Sequence, residues 1–366
     1  MALKNLRAKK LEIPFKVNFK HALAERNKTE SILVSSESSN GNIGYGEGCP
    51  RSYVTNESVD TALSFIDGYK KQILEIGTLQ NLISFINRNK DAIDTNPAAW
   101  CAVEIALLDL LGKETPQSVE NLLGLPELRS EFRYTAVIGD WDITTTKVFL
   151  DKFLSMGFKD FKLKLSGDLE KDLSKIKLLK EYKQDDITLR VDANKLWDNA
   201  EQAHSYLENL DYKFSGVEEP LNNFLYIDLV ELSEKLGTKI ILDESFRKIE
   251  DLAKLEDKTD VFIINIRISK MGGILRSLDI AKTAAEKGFD LIIGAQVGET
   301  SILTRAALSV ANTFHEKIIA QEGAFGDFLL EKDIRAPSIK FGAGGILKVS
   351  DYIEPDSYGL GLNIDE

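Results

Sequence analysis

Five residues stand out by type and spacing: Lys164, Asp192, Glu218, Asp243 and Lys270, separated by 28, 26, 25 and 27 residues. They lie at or near the ends of apolar, β-rich runs: FKDFKLKL (158–165), ITLRVDAN (187–194), SGVEEP (215–220), KIILDES (239–245) and VFIINIRISK (261–270). Such an interval is about one strand–helix unit of a parallel barrel, which assigns the five to equivalent places on strands two to six. The C-terminal strand ends of that architecture carry the active site. Three carboxylates gathered there form an oxygen-only donor set suited to Mg2+ or Mn2+. A divalent cation would offset their repulsion, hold a substrate carboxylate and stabilise the charge left when an α-proton departs. Lys164 and Lys270 would remove and return that proton from opposite sides. Lys162, two residues from Lys164, shares its inward strand face, and its charge favours a neutral, basic Lys164. A lone acidic residue at a strand end is usually a helix cap or a solvated loop residue. Five in register point to chemistry.

The elements that must position them follow from periodicity. Further β-rich runs at 134–139, 290–299 and 317–323 complete eight, and amphipathic helical stretches such as 168–183 and 199–210 lie between them. Strand–helix alternation implies parallel pairing, so residues 126–330 are expected to form an α/β fold, a (β/α)8 TIM-type barrel. Residues 1–125 read as an α+β capping domain, strands first (11–19, 31–35), a hairpin-like glycine pattern in GNIGYGEG (41–48), then helices at 58–77, 80–89 and 97–112. AAWCAVEIALLDLLGK is apolar on nearly all sides and reads as a buried helix. Residues 331–366, Gly-rich over 340–366, are expected to pack back toward the cap. Their GAGG reads as a turn, since no helix follows to make a phosphate cradle.

Composition narrows the class. The 366 residues carry 46 basic and 58 acidic side chains, a net charge of -12, which argues against a nucleic-acid partner. No apolar run reaches the roughly 20 residues of a membrane span. The basic N-terminus lacks an apolar segment behind it, so secretion is not expected. Two cysteines, Cys49 and Cys101, are too few for a disulfide framework. A cytoplasmic enzyme acting on a small-molecule carboxylate is the expectation.

The succession FKLKLS, VDAN, VEEP, LDES and ISKMGG resembles the enolase superfamily, in its muconate-lactonizing-enzyme-like branch. That branch includes muconate cycloisomerases, o-succinylbenzoate synthases, dipeptide epimerases and N-acylamino acid racemases. GYGEG, PRSYVTNES and AVEIALLDLLGK resemble its capping domain. The resemblance implies that Asp192, Glu218 and Asp243 ligate Mg2+. Glu218 is the ligand rather than Glu219, which stands where the family commonly has Gln before Pro. Lys164 would be one acid/base group, with Lys162 as its electrostatic partner and Lys270 as the base on the opposite face. Asn194 and Glu244 would orient the ligands. The branch with a His base is disfavoured, because His21, His204 and His315 match no such position. The Asp-x-Asp that dipeptide epimerases carry at strand eight is absent from AQEGAFGD, leaving Gln321 or Glu322 as acceptors. Gln296 and Glu299 of AQVGETS would face the substrate. In the capping loops 19–26 and 49–55, His21, Arg26, Arg51 and Tyr53 are substrate-binding candidates, as are Phe325 and Asp327 after strand eight. Family members are often oligomeric, which extends to this chain as a homo-oligomer.

The chemistry expected is Mg2+-dependent proton abstraction α to a carboxylate, giving a metal-stabilised enolate. Retention of two lysines favours racemisation or epimerisation of an amino acid derivative or dipeptide. The alternative from the same site is syn-elimination or cycloisomerisation, as in o-succinylbenzoate synthesis, muconate cycloisomerisation or acid-sugar dehydration. A Schiff-base lysine barrel and a non-catalytic binding barrel are weaker readings, since neither employs three aligned carboxylates.

Overall fold

The computed structural model describes residues 2–21, 24–182 and 186–365, the side chains of 17–25 excepted. Strand β1 (Leu3–Leu11) opens the cap, followed by the hairpin β2 (Pro14–His21) and β3 (Ala24–Lys28), then β4 (Ser31–Ser38) and β5 (Ile43–Gly48). The order β1-β4-β5 is an antiparallel sheet. Only Leu6 of β1 is buried, and Lys4, Arg7, Lys9 and Lys10 keep its free edge from pairing with another chain. Three longer helices follow: α1 (Val59–Ile73), α2 (Leu79–Arg88) and α3 (Pro97–Glu114).

Helix α3 is buried from Pro97 to Gly112. Pro97 starts it, and the Glu57 carboxylate accepts from the N–H groups of Ala98 and Ala99, both at 2.9 Å. The stretch GNIGYGEG does form a hairpin, with Gly41 in the turn between β4 and β5, and its later glycines serve this packing as well. Side chains on Gly44, Gly46 and Gly48 would overlap the carbonyls of Ala106, Ala102 and Ala98. Two strand residues rise about 6.8 Å and four helix residues about 6 Å, so strand and helix stay in step.

The second layer is an eight-stranded parallel sheet: β7 (Ala136–Ile138), β8 (Asp160–Lys164), β9 (Thr188–Asp192), β10 (Gly216–Glu218), β11 (Ile240–Leu242), β12 (Phe262–Ile266), β13 (Asp290–Ile293) and β14 (Ile318–Gln321), each paired with the next. The curl closes where the Thr135 N–H donates to the Gln321 carbonyl at 2.7 Å. Strand β6 (Glu131–Arg133) lies outside this sheet and pairs with β15 (Ile346–Lys348). Helices α4 (Ile143–Ser155), α5 (Leu169–Glu181), α6 (Ala200–Asn209), α7 (Tyr226–Leu236), α8 (Ile274–Lys287) and α9 (Ser301–Thr313) cover it. The eightfold regularity expected from sequence is broken twice. A 3-10 segment, Ile249–Leu255, replaces the helix after β11, and β14 is followed only by a 3-10 turn, Gly326–Phe328. Ile241, Ile263, Ile292 and Ala320 fill the interior beneath the strand ends.

Cap and barrel are joined by carboxylates set at helix starts. Glu104 of α3 accepts from the Leu275 N–H at 3.0 Å, in the first turn of α8. Glu47 of β5 accepts from the Thr300 N–H (3.1 Å) and hydroxyl (2.6 Å) at the start of α9. Both ends favour negative charge, yet burial pushes Glu47 up to about 8 and Glu104 up to about 7. The tail returns to the cap, with the Gly359 N–H on Gln117 O (2.8 Å) and the Leu360 N–H on Asp109 (2.8 Å).

Candidate active site

Register sets the polar residues in rows across the strand ends. Lys164 stands beside Asp192, and Asp192 beside Glu218. Glu218 pairs with Ile241, so Asp243, two residues further, takes the same side. One row below, Lys162 stands beside Arg190 and Arg190 beside Gly216. Asp192, Glu218 and Asp243 are at most 1% exposed.

Each carboxylate is engaged by a cation. Lys164 Nζ donates to Asp192 Oδ2 at 2.8 Å and to Asn194 Oδ1 at 3.2 Å. Lys162 Nζ donates to Glu218 Oε2 at 3.2 Å and to Glu322 Oε2 at 2.5 Å. The Arg267 guanidinium pairs with Asp243 and lies 3.7 Å from Glu218. Burial would raise Asp192, but Lys164 and Lys162 hold it down at about 2. At Glu218 burial prevails and raises the carboxyl. Burial would lower Lys162, yet Glu218 and Glu322 raise it above the usual lysine range. As they stand, no three acidic side chains among the described residues form a ligating cluster. The donor set nevertheless fits a hard divalent cation: three buried, oxygen-only groups converge at one end of adjacent strands.

Strand β12 stops at Ile266, and a helical turn, Ile268–Met271, carries Lys270, whose Nζ donates to Asp243 Oδ1 at 2.9 Å and so meets the carboxylate row from the β12 side. Lys270 is fully buried and does not line the cavity above the strand ends. Burial and Arg267 bring it down to about 7. The inward residue at that strand end is Arg267, which lines the cavity and donates to Gln296 Oε1 at 3.2 Å. Ile263, Asn265 and Arg267 alternate on one face of β12, after which the chain turns helical.

The other candidates separate into supports and cavity walls. Glu219, at φ 41, accepts from the Asp243 N–H (2.7 Å) and the Ser245 N–H (2.8 Å), fixing the end of β11. The Asn194 N–H, at φ 46, donates to Asp192 Oδ1 at 3.0 Å, so Asn194 touches both Asp192 and Lys164. Strain of this kind is tolerated where surrounding bonds impose it. Glu244 lines the cavity, its Oε2 without a hydrogen-bond partner, and burial with Glu219 pushes it up to about 8. Glu322 is held by Lys162 and by Arg190 at 3.3 Å, which lowers it despite burial. Gln321 donates to the Tyr134 hydroxyl at 2.8 Å. Gln296 and Glu299 line the cavity. Glu299 accepts from the Gln296 N–H at 2.6 Å, and burial pushes it up to about 7.

From the cap, Tyr53 reaches the cavity wall, and Arg26 donates to its hydroxyl at 3.0 Å. Arg51 lies off the cavity. Its buried guanidinium donates to the carbonyls of Glu30 (2.7 Å), Pro50 (2.8 Å) and Val297 (2.8 Å), tying the cap to the loop after β13. His21 lies outside the described side chains. Asp327 pairs with Lys340 at 2.6 Å, whereas Phe325 lines the cavity. Sequence reading missed Arg267, Arg190 and an apolar wall of Trp141, Phe149, Phe153, Phe328 and Phe341. Trp141 and Phe149 stack at 4.3 Å, and Phe341 lies 5.3 Å from Phe328. The wall comes from α4, its preceding loop and the C-terminal segment, whose juxtaposition no local pattern announces. The cavity holds about 1210 Å3 counted out to its open mouth.

Two family models match: the mandelate racemase / muconate lactonizing enzyme N-terminal domain over residues 4–124, and the enolase C-terminal domain-like model over 145–366. A hydrophobic dipeptide epimerase from Enterococcus faecalis is 29% identical over 85% of this chain and 87% of its own. An N-succinyl-L-Arg/Lys racemase from Bacillus cereus is 27% identical over 88% and 87%. The crystal structure of the E. faecalis dipeptide epimerase with Mg and L-Leu-L-Tyr superposes with a TM-score of 0.87 at 27% identity, covering 99% of this chain and all of that one. The chain is an enzyme of the enolase superfamily, in its muconate-lactonizing-enzyme-like subgroup, with epimerases and racemases among its relatives.

Proposed function

We propose that this chain removes the proton α to the carboxylate of a dipeptide or N-acylated amino acid, with Lys164 as the base. The observation that carries the reading is the row Lys164–Asp192–Glu218, with Asp243 beside it, beneath a cavity that Lys164 itself lines. Asp192, Glu218 and Asp243 would hold Mg2+, or Mn2+ in its place. A divalent cation bound there supplies positive charge for the substrate carboxylate as the α-proton leaves. Asn194 positions Lys164 and Asp192 together, Glu219 fixes the backbone that presents Asp243, and Lys162 places a second positive charge below the row. The aromatic wall excludes water and suits an apolar substrate side chain, in keeping with the hydrophobic dipeptide epimerase among the relatives. Those relatives favour epimerisation or racemisation as the outcome.

The test is deuterium incorporation from D2O into a library of dipeptides and N-acyl amino acids, followed by NMR. Wild type should label an α-carbon. Lys164→Met should lose at least about 1000-fold of that rate, within the range for a positioned acid/base group. Undiminished labelling by the variant would remove Lys164 from the role.

A further inference from the structure

Charge is unevenly placed around the cavity. Three carboxylates line it, Glu244, Glu299 and Glu322, all in segments that leave the strand ends. Glu322 is held by Lys162 and Arg190, and Glu299 accepts from the Gln296 N–H. The aromatic wall, built from α4, its preceding loop, residues 323–330 and Phe341, carries one charged side chain among the described residues, and it is a cation: Lys152 of α4. Lys152 is exposed, and so stands at the open mouth. Its Nζ lies 4.9 Å from the centre of the Phe328 ring, and Lys340 Nζ lies 5.0 Å from the same ring. The acidic neighbours are engaged by other groups. Asp151 pairs with Lys147 at 3.1 Å and accepts from the Tyr182 hydroxyl, and Asp327 pairs with Lys340 at 2.6 Å. Lys152 therefore has an aromatic face but no carboxylate partner among the described residues. A substrate whose carboxylate lies over the Asp192–Glu218–Asp243 row directs its remaining length toward this mouth. An ammonium there meets a like charge and no free carboxylate, whereas a second anion meets an unpaired cation.

We propose that Lys152 is a specificity-determining residue that receives an anion at the far end of the substrate, so that the preferred substrates are N-acyl amino acids whose acyl chain ends in a second carboxylate. The proposal rests on the reading that this site removes an α-proton. The rings of the wall pack the methylenes of the acyl chain, and the terminal carboxylate pairs with Lys152 Nζ. This contact lies at the other end of the molecule from the reacting carbon. It is made equally before and during proton transfer, so it acts on KM rather than on kcat. Selection comes from both signs at once: attraction for the anion and repulsion of the ammonium.

Three N-acylated leucines of matched length isolate the terminal charge: N-succinyl-L-leucine (carboxylate), N-succinamoyl-L-leucine (carboxamide) and N-(γ-aminobutyryl)-L-leucine (ammonium). In α-deuterium incorporation from D2O with Mg2+, wild type should favour the carboxylate over the carboxamide by at least about tenfold in kcat/KM, with the ammonium compound slower still. Lys152→Met should raise KM for the carboxylate compound at least about fivefold, leaving its kcat and the carboxamide compound within about twofold. Lys152→Glu should reverse the order of the two charged compounds. Equal kcat/KM for carboxylate and carboxamide with wild type overturns the proposal, as does a preference for the ammonium. A carboxylate preference that Lys152→Met keeps also overturns it, and so does an equal loss on carboxylate and carboxamide, which marks a packing role alone. Labelling of dipeptides but of none of the three overturns the proposal and leaves α-proton abstraction standing. No labelling of any compound in the wider library removes the underlying reading and the proposal with it.

Discussion

Replacing Glu104 by Gln should make the protein more stable above neutral pH, the opposite of what loss of an interdomain contact suggests. Glu104 is fully buried on α3, and its Oε1 accepts the Leu275 N–H at the start of α8. Burial pushes its carboxyl from 4.5 up to about 7. Between those values the folded state binds the proton that the unfolded state has released, so stability falls as pH rises through that window. At about 1.4 kcal/mol per pH unit, ionised Glu104 costs about 3 kcal/mol by pH 8. Gln keeps an acceptor for Leu275 and never ionises. Guanidinium unfolding followed by circular dichroism at pH 4.5, 6, 7 and 8 measures both proteins. The stability of Glu104→Gln relative to wild type should climb by about 3 kcal/mol across that range. A difference that stays flat from pH 4.5 to pH 8 would refute the reasoning, and one that moves the other way would show that ionised Glu104 stabilises the interface.

Two further substitutions probe the packing and the site. Gly46→Ala forces a methyl against the Ala102 carbonyl and should destabilise by about 1–3 kcal/mol in the same unfolding assay. An unchanged midpoint would contradict the close strand–helix approach. Glu322→Gln leaves Lys162 and Arg190 short of a buried countercharge and should cost about 3–5 kcal/mol. A neutral effect would mean that those cations find other partners.

Much of this architecture was legible because the chain repeats one local rule. Each barrel strand is a short apolar run ending in polar residues, and parallel pairing converts their sequence interval into a row. Lys164, Asp192, Glu218 and Asp243 followed from that spacing alone. Lys270 reaches Asp243 from a helical turn four residues beyond β12, so the spacing anticipated its neighbourhood but not the element that carries it. The interval of 24 from Asp243 to Arg267 fits the spacing about as well as the 27 to Lys270, so spacing alone did not show that Arg267 also lines the cavity. The glycine pattern of GNIGYGEG marked the β4–β5 hairpin, but not the close approach of β5 to α3, which depends on a helix some 50 residues away. β1 escaped notice because a strand with one buried residue has almost no apolar pattern. The aromatic wall and the supporting role of Arg51 depend on contacts between distant segments, which periodicity does not encode.

The central claim is a metal-assisted removal of an α-proton by this row of residues. Its most direct measurement is the metal dependence of α-deuterium incorporation by the wild-type protein. Incorporation should vanish after dialysis against EDTA and return on adding Mg2+, with the bound stoichiometry by calorimetry near one per chain. Incorporation that persists undiminished in EDTA would contradict the account.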